Sequence, residues 1–294
     1  MRCFAPPCAD NDLARALHVV TCIFSTVPPP AAAPMPAFID FSQVWLKYNP
    51  TLDFAIEDVS VSIDEHEFVA IVGPSGCGKS TFMKLGTGLR PPTQGSVKVE
   101  GREVTGPLKI TGMAFQAPNL LPWRTTLDNV LLPLEIVEPF KHDFNRKRAE
   151  YEARAMKLIN TVGLGGWEHK FPWELSGGMQ QRASICRALV HEPKLLMLDE
   201  PFGALDGFTR EELWCVLRDL HAVNPFTVVL VTHDLREATF LADTVYVMSK
   251  RPGRILAKKH IDLPRPRDIE VTYSEPFTRI VHELREHIGM IRKS

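Results

Sequence analysis

Residues 73–80 read Gly-Pro-Ser-Gly-Cys-Gly-Lys-Ser and follow the apolar run Phe68–Val72. That spacing is the one a phosphate-binding loop needs between a buried strand and a helix. Gly73, Gly76 and Gly78 let the backbone curl until its N–H groups point at phosphate oxygens. The N-terminus of the following helix adds partial positive charge. Lys79 is then placed to reach the β- and γ-phosphates of a nucleoside triphosphate, and the Ser80 hydroxyl to ligate Mg2+. The loop alone does not say which kind of triphosphatase carries it.

A second element lies downstream. The apolar run Lys194–Leu198 delivers Asp199 and Glu200 to its C-terminal tip, where ligands bind in parallel sheets. Adjacent side chains on a strand face opposite ways, so the two acids take different tasks. Asp199 is placed to hold the metal, through water. Glu200 is placed to orient or deprotonate the attacking water. His233 ends another buried run, Thr227–Thr232. Two readings stand for it: a satisfied polar group at a strand end, or a contact to the γ-phosphate from a neighbouring strand. Gln116, after a further apolar strand, is by spacing alone either a loop glutamine or a ligand. The run Leu175-Ser176-Gly177-Gly178-Met179-Gln180-Gln181-Arg182 is by itself a polar, glycine-rich turn entering a helix.

The elements that must position these groups are legible from residue 37 onward. Residues 38–47 and 59–63 alternate as strands, whereas Phe68–Val72 is continuously apolar, as suits a strand buried on both faces. The pattern predicts helices over 79–89, 126–137, 145–162, from Ser176, over 209–222 and over 235–242. It predicts further strands over 95–101, 194–198, 227–231 and 246–248. Strands alternating with helices argue for an α/β core with a parallel sheet. The early strands argue for a smaller antiparallel piece, and the two central helices for a helical insertion. The tail reads as one amphipathic helix with Phe277, Ile280, Val281, Leu284 and Ile288 on a face packed against the core.

Composition narrows the classes. The apolar share is 45%, the charged share 23% and the net charge −1, so no bulk field or basic stripe points to nucleic acid. No apolar stretch approaches the roughly 18–20 residues that span a bilayer, so a membrane path would belong to another chain. The six cysteines show no CxxC pair and no regular spacing, which favours reduced thiols in the cytosol over a disulfide framework. Residues 1–36 differ from the rest. The segment Ala16–Val27 resembles a signal-peptide core, but its basic start is thin and interrupted by Asp10 and Asp12. A disordered extension, with translation starting at Met35, is the preferred reading.

From about Ala37 to Leu256 the chain resembles the ATP-binding subunits of ABC transporters, with the family's motifs present in order. Gly73–Ser80 matches Walker A and Leu175–Arg182 the signature. Leu195–Glu200 matches Walker B, Gly203–Asp206 the D-loop, Gln116 the Q-loop and His233 the H-loop. Tyr48 matches the aromatic that stacks on adenine, with Trp45 the weaker candidate. The resemblance implies an ATPase with a RecA-like P-loop core (residues 37–264), an antiparallel β subdomain, a helical insertion over about 117–185 and a helical tail over 265–294. It implies ATP bound by Tyr48, Gly73, Pro74, Ser75, Gly76, Cys77, Gly78, Lys79, Ser80 and Thr81. Ser176, Gly177, Gly178 and Asp206 would act on the nucleotide of a second copy. Glu200, His233 and Gln116 would be catalytic, and Ser80, Gln116 and Asp199 would hold Mg2+. The family usually has Gly-Glu before the Walker A strand; here the pair is His66-Glu67.

Residues 119–130 and 248–255 are further similar to the nitrate/sulfonate/taurine group of bacterial importers, which also serves related anions and pyrimidine precursors. This implies a homodimer on the cytoplasmic face of the inner membrane. It would work with permease subunits and, indirectly, a solute-binding protein, and with no nucleic acid. An exporter ATPase or a non-transport ABC ATPase are the alternatives. The set Leu120, Leu121, Pro122 and Trp123 is either a small core under a loop or part of a groove for a short helix of the membrane subunit. Cys77 is either a space-filling residue or a thiol activated by the helix N-terminus and Lys79.

Overall fold

The computed structural model describes residues 37–293; the expectations for residues 1–36 and for a start at Met35 lie outside the described residues. β1 (Ile39–Leu46) and β2 (Ile56–Ile63) alternate buried and exposed positions, as a sheet covered on one face requires. β3 (Phe68–Val72) is buried at every position and leads through the glycine-rich loop into α1 (Lys79–Gly86). β4 (Gln94–Val99), β5 (Arg102–Glu103) and β6 (Thr111–Ala114) follow. The helical stretch comprises α2 (Thr126–Ile136), the single turn α3 (Phe140–Asp143), α4 (Arg148–Thr161) and α5 (Gly177–Leu189). Then come β7 (Leu195–Asp199), α6 (Gly207–Val223), β8 (Thr227–Thr232), α7 (Leu235–Leu241), β9 (Thr244–Met248), β10 (Ile255–His260) and α8 (Glu275–Lys293).

Two sheets result. The smaller is antiparallel in the order β2-β1-β4-β5; the larger runs β10-β9-β3-β8-β7-β6. In the larger sheet β9, β3, β8, β7 and β6 are parallel, and only edge strand β10 is antiparallel. The C-terminal ends of β3, β7, β8 and β6 therefore emerge together, carrying the phosphate loop, Asp199-Glu200, His233 and Gln116. One core lies between the two sheets, where Phe41, Ile63, Ile71, Phe82 and Met197 meet. A second lies on the other face of the large sheet, under α5, α6, α7 and α8. A third is purely helical and joins Val130, Leu134, Tyr151, Ile159 and Cys186. α5 contributes to both of the last two, so it fastens the helical stretch to the sheet.

Several boundaries differ from the sequence pattern. The helix expected over 145–162 begins only at Arg148, because α3 is a separate turn before it. α1 stops at Gly86, short of Leu89, and Gly88 turns the chain with φ +74°. β5 and β10 were absent from the pattern. β5 is two exposed residues, and β10 carries Lys258, Lys259 and His260 on an edge, where charged residues blunt further pairing. In the tail Phe277, Ile280 and Leu284 are buried, and Val281 and Ile288 pack partly against the same core. The tail is locked by Arg267, 2% exposed, whose guanidinium donates to the carbonyls of Thr239, Phe240, Ala242 and Ile261. Burial without a carboxylate partner pushes its pKa down to about 10.

Candidate nucleotide site

A cleft of about 470 Å3 opens where β3, β7 and β6 end. It is lined by Tyr48, Ala55, Ser75, Gly76, Gly78, Lys79, Ser80, Thr81, Gln116, Asp199, Glu200 and Arg251. Gly76 and Gly78 take φ +76° and +110°, the left-handed region that glycine enters without a Cβ clash. The Lys79 side chain, 5% exposed, curls back and donates to the carbonyls of Gly73 at 3.0 Å and Pro74 at 3.1 Å. Its ammonium lies 3.6 Å from Glu200 Oε1. The other oxygen, Oε2, lies 3.2 Å from His233 Nδ1. Glu200 thus sits between the P-loop lysine and the imidazole, with both carboxylate oxygens held. Its backbone is in the left-handed region, φ +47°.

Asp199 points toward Ser80. Burial raises its pKa, partly opposed by the Ser80 hydrogen bond and reinforced by Glu200. Glu200 lies one residue beyond the end of β7, and both acids line the cleft. Tyr48 is pinned through its hydroxyl to Thr81 Oγ1 at 3.0 Å. The Arg90 guanidinium lies 5.3 Å from the centre of its ring and the Lys84 ammonium 5.8 Å. Trp45 packs edge-on against Phe54 instead and does not line the cleft.

Not every expected residue reaches the cleft. Gly73, Pro74 and Cys77 belong to the loop but do not line it. The Cys77 side chain is 1% exposed and packs into the core between the sheets. Burial raises its thiol pKa, outweighing the lowering by Lys79. The activated-thiol reading of Cys77 is therefore corrected: its side chain is desolvated in the core between the sheets. Ser176, Gly177, Gly178 and Asp206 also lie outside the cleft. Ser176 is exposed and caps α5, its Oγ accepting from Met179 N–H at 3.3 Å. Asp206 caps α6 by accepting from Thr209 N–H at 3.1 Å. These two helix starts adjoin, since a Cβ on Gly178 would lie 2.8 Å from Thr209 Cγ2.

Two cleft residues escaped the sequence reading, Ala55 and Arg251. Arg251 stands beside the turn dipeptide Pro252-Gly253 after β9, and nothing local to that dipeptide says that the turn folds against the phosphate loop. In the helical stretch Trp123 is 71% exposed, whereas Leu120 packs partly on the helical core. The set expected there is thus split between core and surface.

Residues 56–203 match the family described as ABC transporter. The chain belongs to that family. Over 212 residues this ABC ATPase is 43% identical to the aliphatic sulfonates import ATP-binding protein SsuB of Bacillus licheniformis, covering 72% of this chain and 79% of that protein. Over 220 residues it is 39% identical to the taurine import ATP-binding protein TauB of Yersinia pestis, covering 75% and 83%. Among solved structures it is similar to the dimeric, post-hydrolysis ATP-binding cassette MJ0796 bound to ADP and Pi. The TM-score is 0.67 and the identity 32%, covering 77% of this chain and all of that one. The chain is accordingly an importer ATPase subunit built on the RecA-like P-loop fold. No helix among the described residues is long and apolar enough to cross a membrane.

Proposed function

We propose that this ABC ATPase energises import of a small sulfonate-class anion such as taurine, as a homodimer on permease subunits at the cytoplasmic face of the membrane. The reading is carried by the identity to two importer ATP-binding proteins named for aliphatic sulfonates and taurine. Together with a solute-binding protein, the permease would choose the solute.

Mg2+ fits the cleft. Ser80, Asp199 and Gln116 line the same cleft with oxygen donors, and among the described residues no cluster of three or more His, Cys, Asp or Glu could hold a metal. An incomplete, all-oxygen set suits an ion that keeps waters and takes its remaining ligands from substrate phosphates. Bound there by Ser80, Asp199 and Gln116, the ion would neutralise charge on the β- and γ-phosphates. Tyr48 orients the base, and the loop N–H groups with Lys79 hold the phosphates. Glu200 accepts a proton from the attacking water while His233, on its far oxygen, keeps the carboxylate aimed. Ser176, exposed, and Gly178, half-buried, at a helix N-terminus complete the site of the second copy from across the dimer.

Uptake of labelled taurine, an alkanesulfonate and nitrate in a strain lacking the chain tests the assignment. Loss of sulfonate uptake, restored by the gene but not by Lys79→Ala, is expected. Intact sulfonate uptake with lost nitrate uptake would overturn the solute class. Trp123→Ala should keep ATP binding and lose transport; unchanged transport would remove Trp123 from the permease groove.

A further inference from the structure

We infer that Arg251 binds the polyphosphate chain of the nucleotide. The inference rests on the reading of the cleft as the ATP site. Arg251 lines the cleft with Lys79, Asp199 and Glu200, the other charged groups on its wall. It is carried by the turn between β9 and β10, and backbone contacts fasten that turn beside the phosphate loop. The Gly253 N–H donates to the Ala55 carbonyl at 3.0 Å, and the Glu57 N–H donates to the Gly253 carbonyl at 3.0 Å. A Cβ on Gly253 would lie 2.2 Å from the Cys77 carbonyl oxygen. Only glycine allows the turn to approach the loop backbone so closely.

The charges give the turn its purpose. Lys79 and Arg251 together balance Asp199 and Glu200; with Lys79 alone, the wall would carry a net negative charge toward a polyanion. Lys79 is already committed to two carbonyls and to Glu200. Arg254, three residues beyond Arg251, is paired with Glu57 at 2.6 Å. Among the described residues no carboxylate lies within ion-pair distance of Arg251. Arg251 is thus the uncommitted cation of the cleft, and a guanidinium fork matches phosphate oxygens two at a time.

Calorimetric affinities of the full chain for ATP, ADP and AMP in Mg2+ test this. Arg251→Ala should weaken ATP and ADP about tenfold, the size of a charge-assisted hydrogen bond, and AMP less than about twofold. Arg251→Lys should fall between, and Arg254→Ala should match wild type. Unchanged ATP and ADP affinity in Arg251→Ala, or an equal loss for all three nucleotides, would overturn the inference. Lys79→Ala separates the two levels. If it loses ATP while Arg251→Ala does not, only the inference fails; if it too keeps ATP, the reading of the cleft fails.

Discussion

The phosphate loop and the signature are both glycine-rich turns at helix N-termini, yet the structure treats them oppositely. Around Lys79 the side chains interlock: Glu200 bridges lysine and histidine. Around Ser176 the hydroxyl merely caps its own helix, Gly177 is exposed, and Gly178 faces Thr209. Under the proposed function, one region is a finished half of a site, and the other is the half offered to a second copy. A helix N-terminus attracts anions in both places, so what separates them is the lysine and the two acids that surround only the first.

The largest expected effects test whether the halves belong to different copies. Lys79→Ala should lose ATP binding. Ser176→Arg should keep binding and lose hydrolysis by at least roughly a hundredfold, as when donors aimed at developing charge are removed. Mixing the two inactive proteins should recover hydrolysis that neither has alone, because one site of each hybrid pairs a wild-type loop with a wild-type signature. If the mixture stays inactive while the hybrids form, the division into halves is wrong. Glu200→Gln should lower kcat by roughly a hundred- to ten-thousandfold at unchanged ATP affinity; near-normal turnover would make Glu200 a mere partner of Lys79.

A smaller effect concerns stability behind the loop. Glu237, on α7 and fully buried, is pushed well above the usual carboxylate range by burial and by Asp234, against the Thr232 hydrogen bond and Arg210. Its folded pKa exceeds its unfolded one, so the folded chain binds the extra proton and stability falls as pH rises between the two values. Glu237→Gln should flatten that slope in denaturant titrations from pH 5 upward; an unchanged slope would place its origin elsewhere. The smallest effect lies at His66, where the family's usual glycine is replaced and φ is +65°. His66→Gly should raise stability by about 1 kcal/mol without altering nucleotide affinity.

Most of the cleft was legible because its residues sit at strand ends, and strand ends are marked by where apolar runs stop. Asp199 and Glu200 were found that way; for Gln116 in the cleft, and for His233 beside Glu200, the strand ends left two readings and the resemblance chose between them. Arg251 was not, because its turn reaches the loop through contacts between distant segments, Gly253 with Ala55 and Cys77. Cys77 shows the converse limit: loop membership is visible in sequence, but which way a side chain turns depends on the core beneath it. β10 was missed because an edge strand loaded with lysine lacks the apolar signal that identifies an inner one.

Arg267 carries a consequence for the order in which the protein is made. It closes the end of α7 by satisfying the carbonyls of Thr239, Phe240 and Ala242, yet it is synthesised after the ten strands of the described residues. A nascent chain can assemble its sheet and its ATP cleft and still have a frayed last crossover until residue 267 emerges. A ribosome that stops early, or a nonsense codon near residue 264, would therefore release a chain with every catalytic motif intact and an uncapped, buried helix end. Such a product is suited to recognition by quality-control proteases rather than to competition with the finished protein for its place in the transporter.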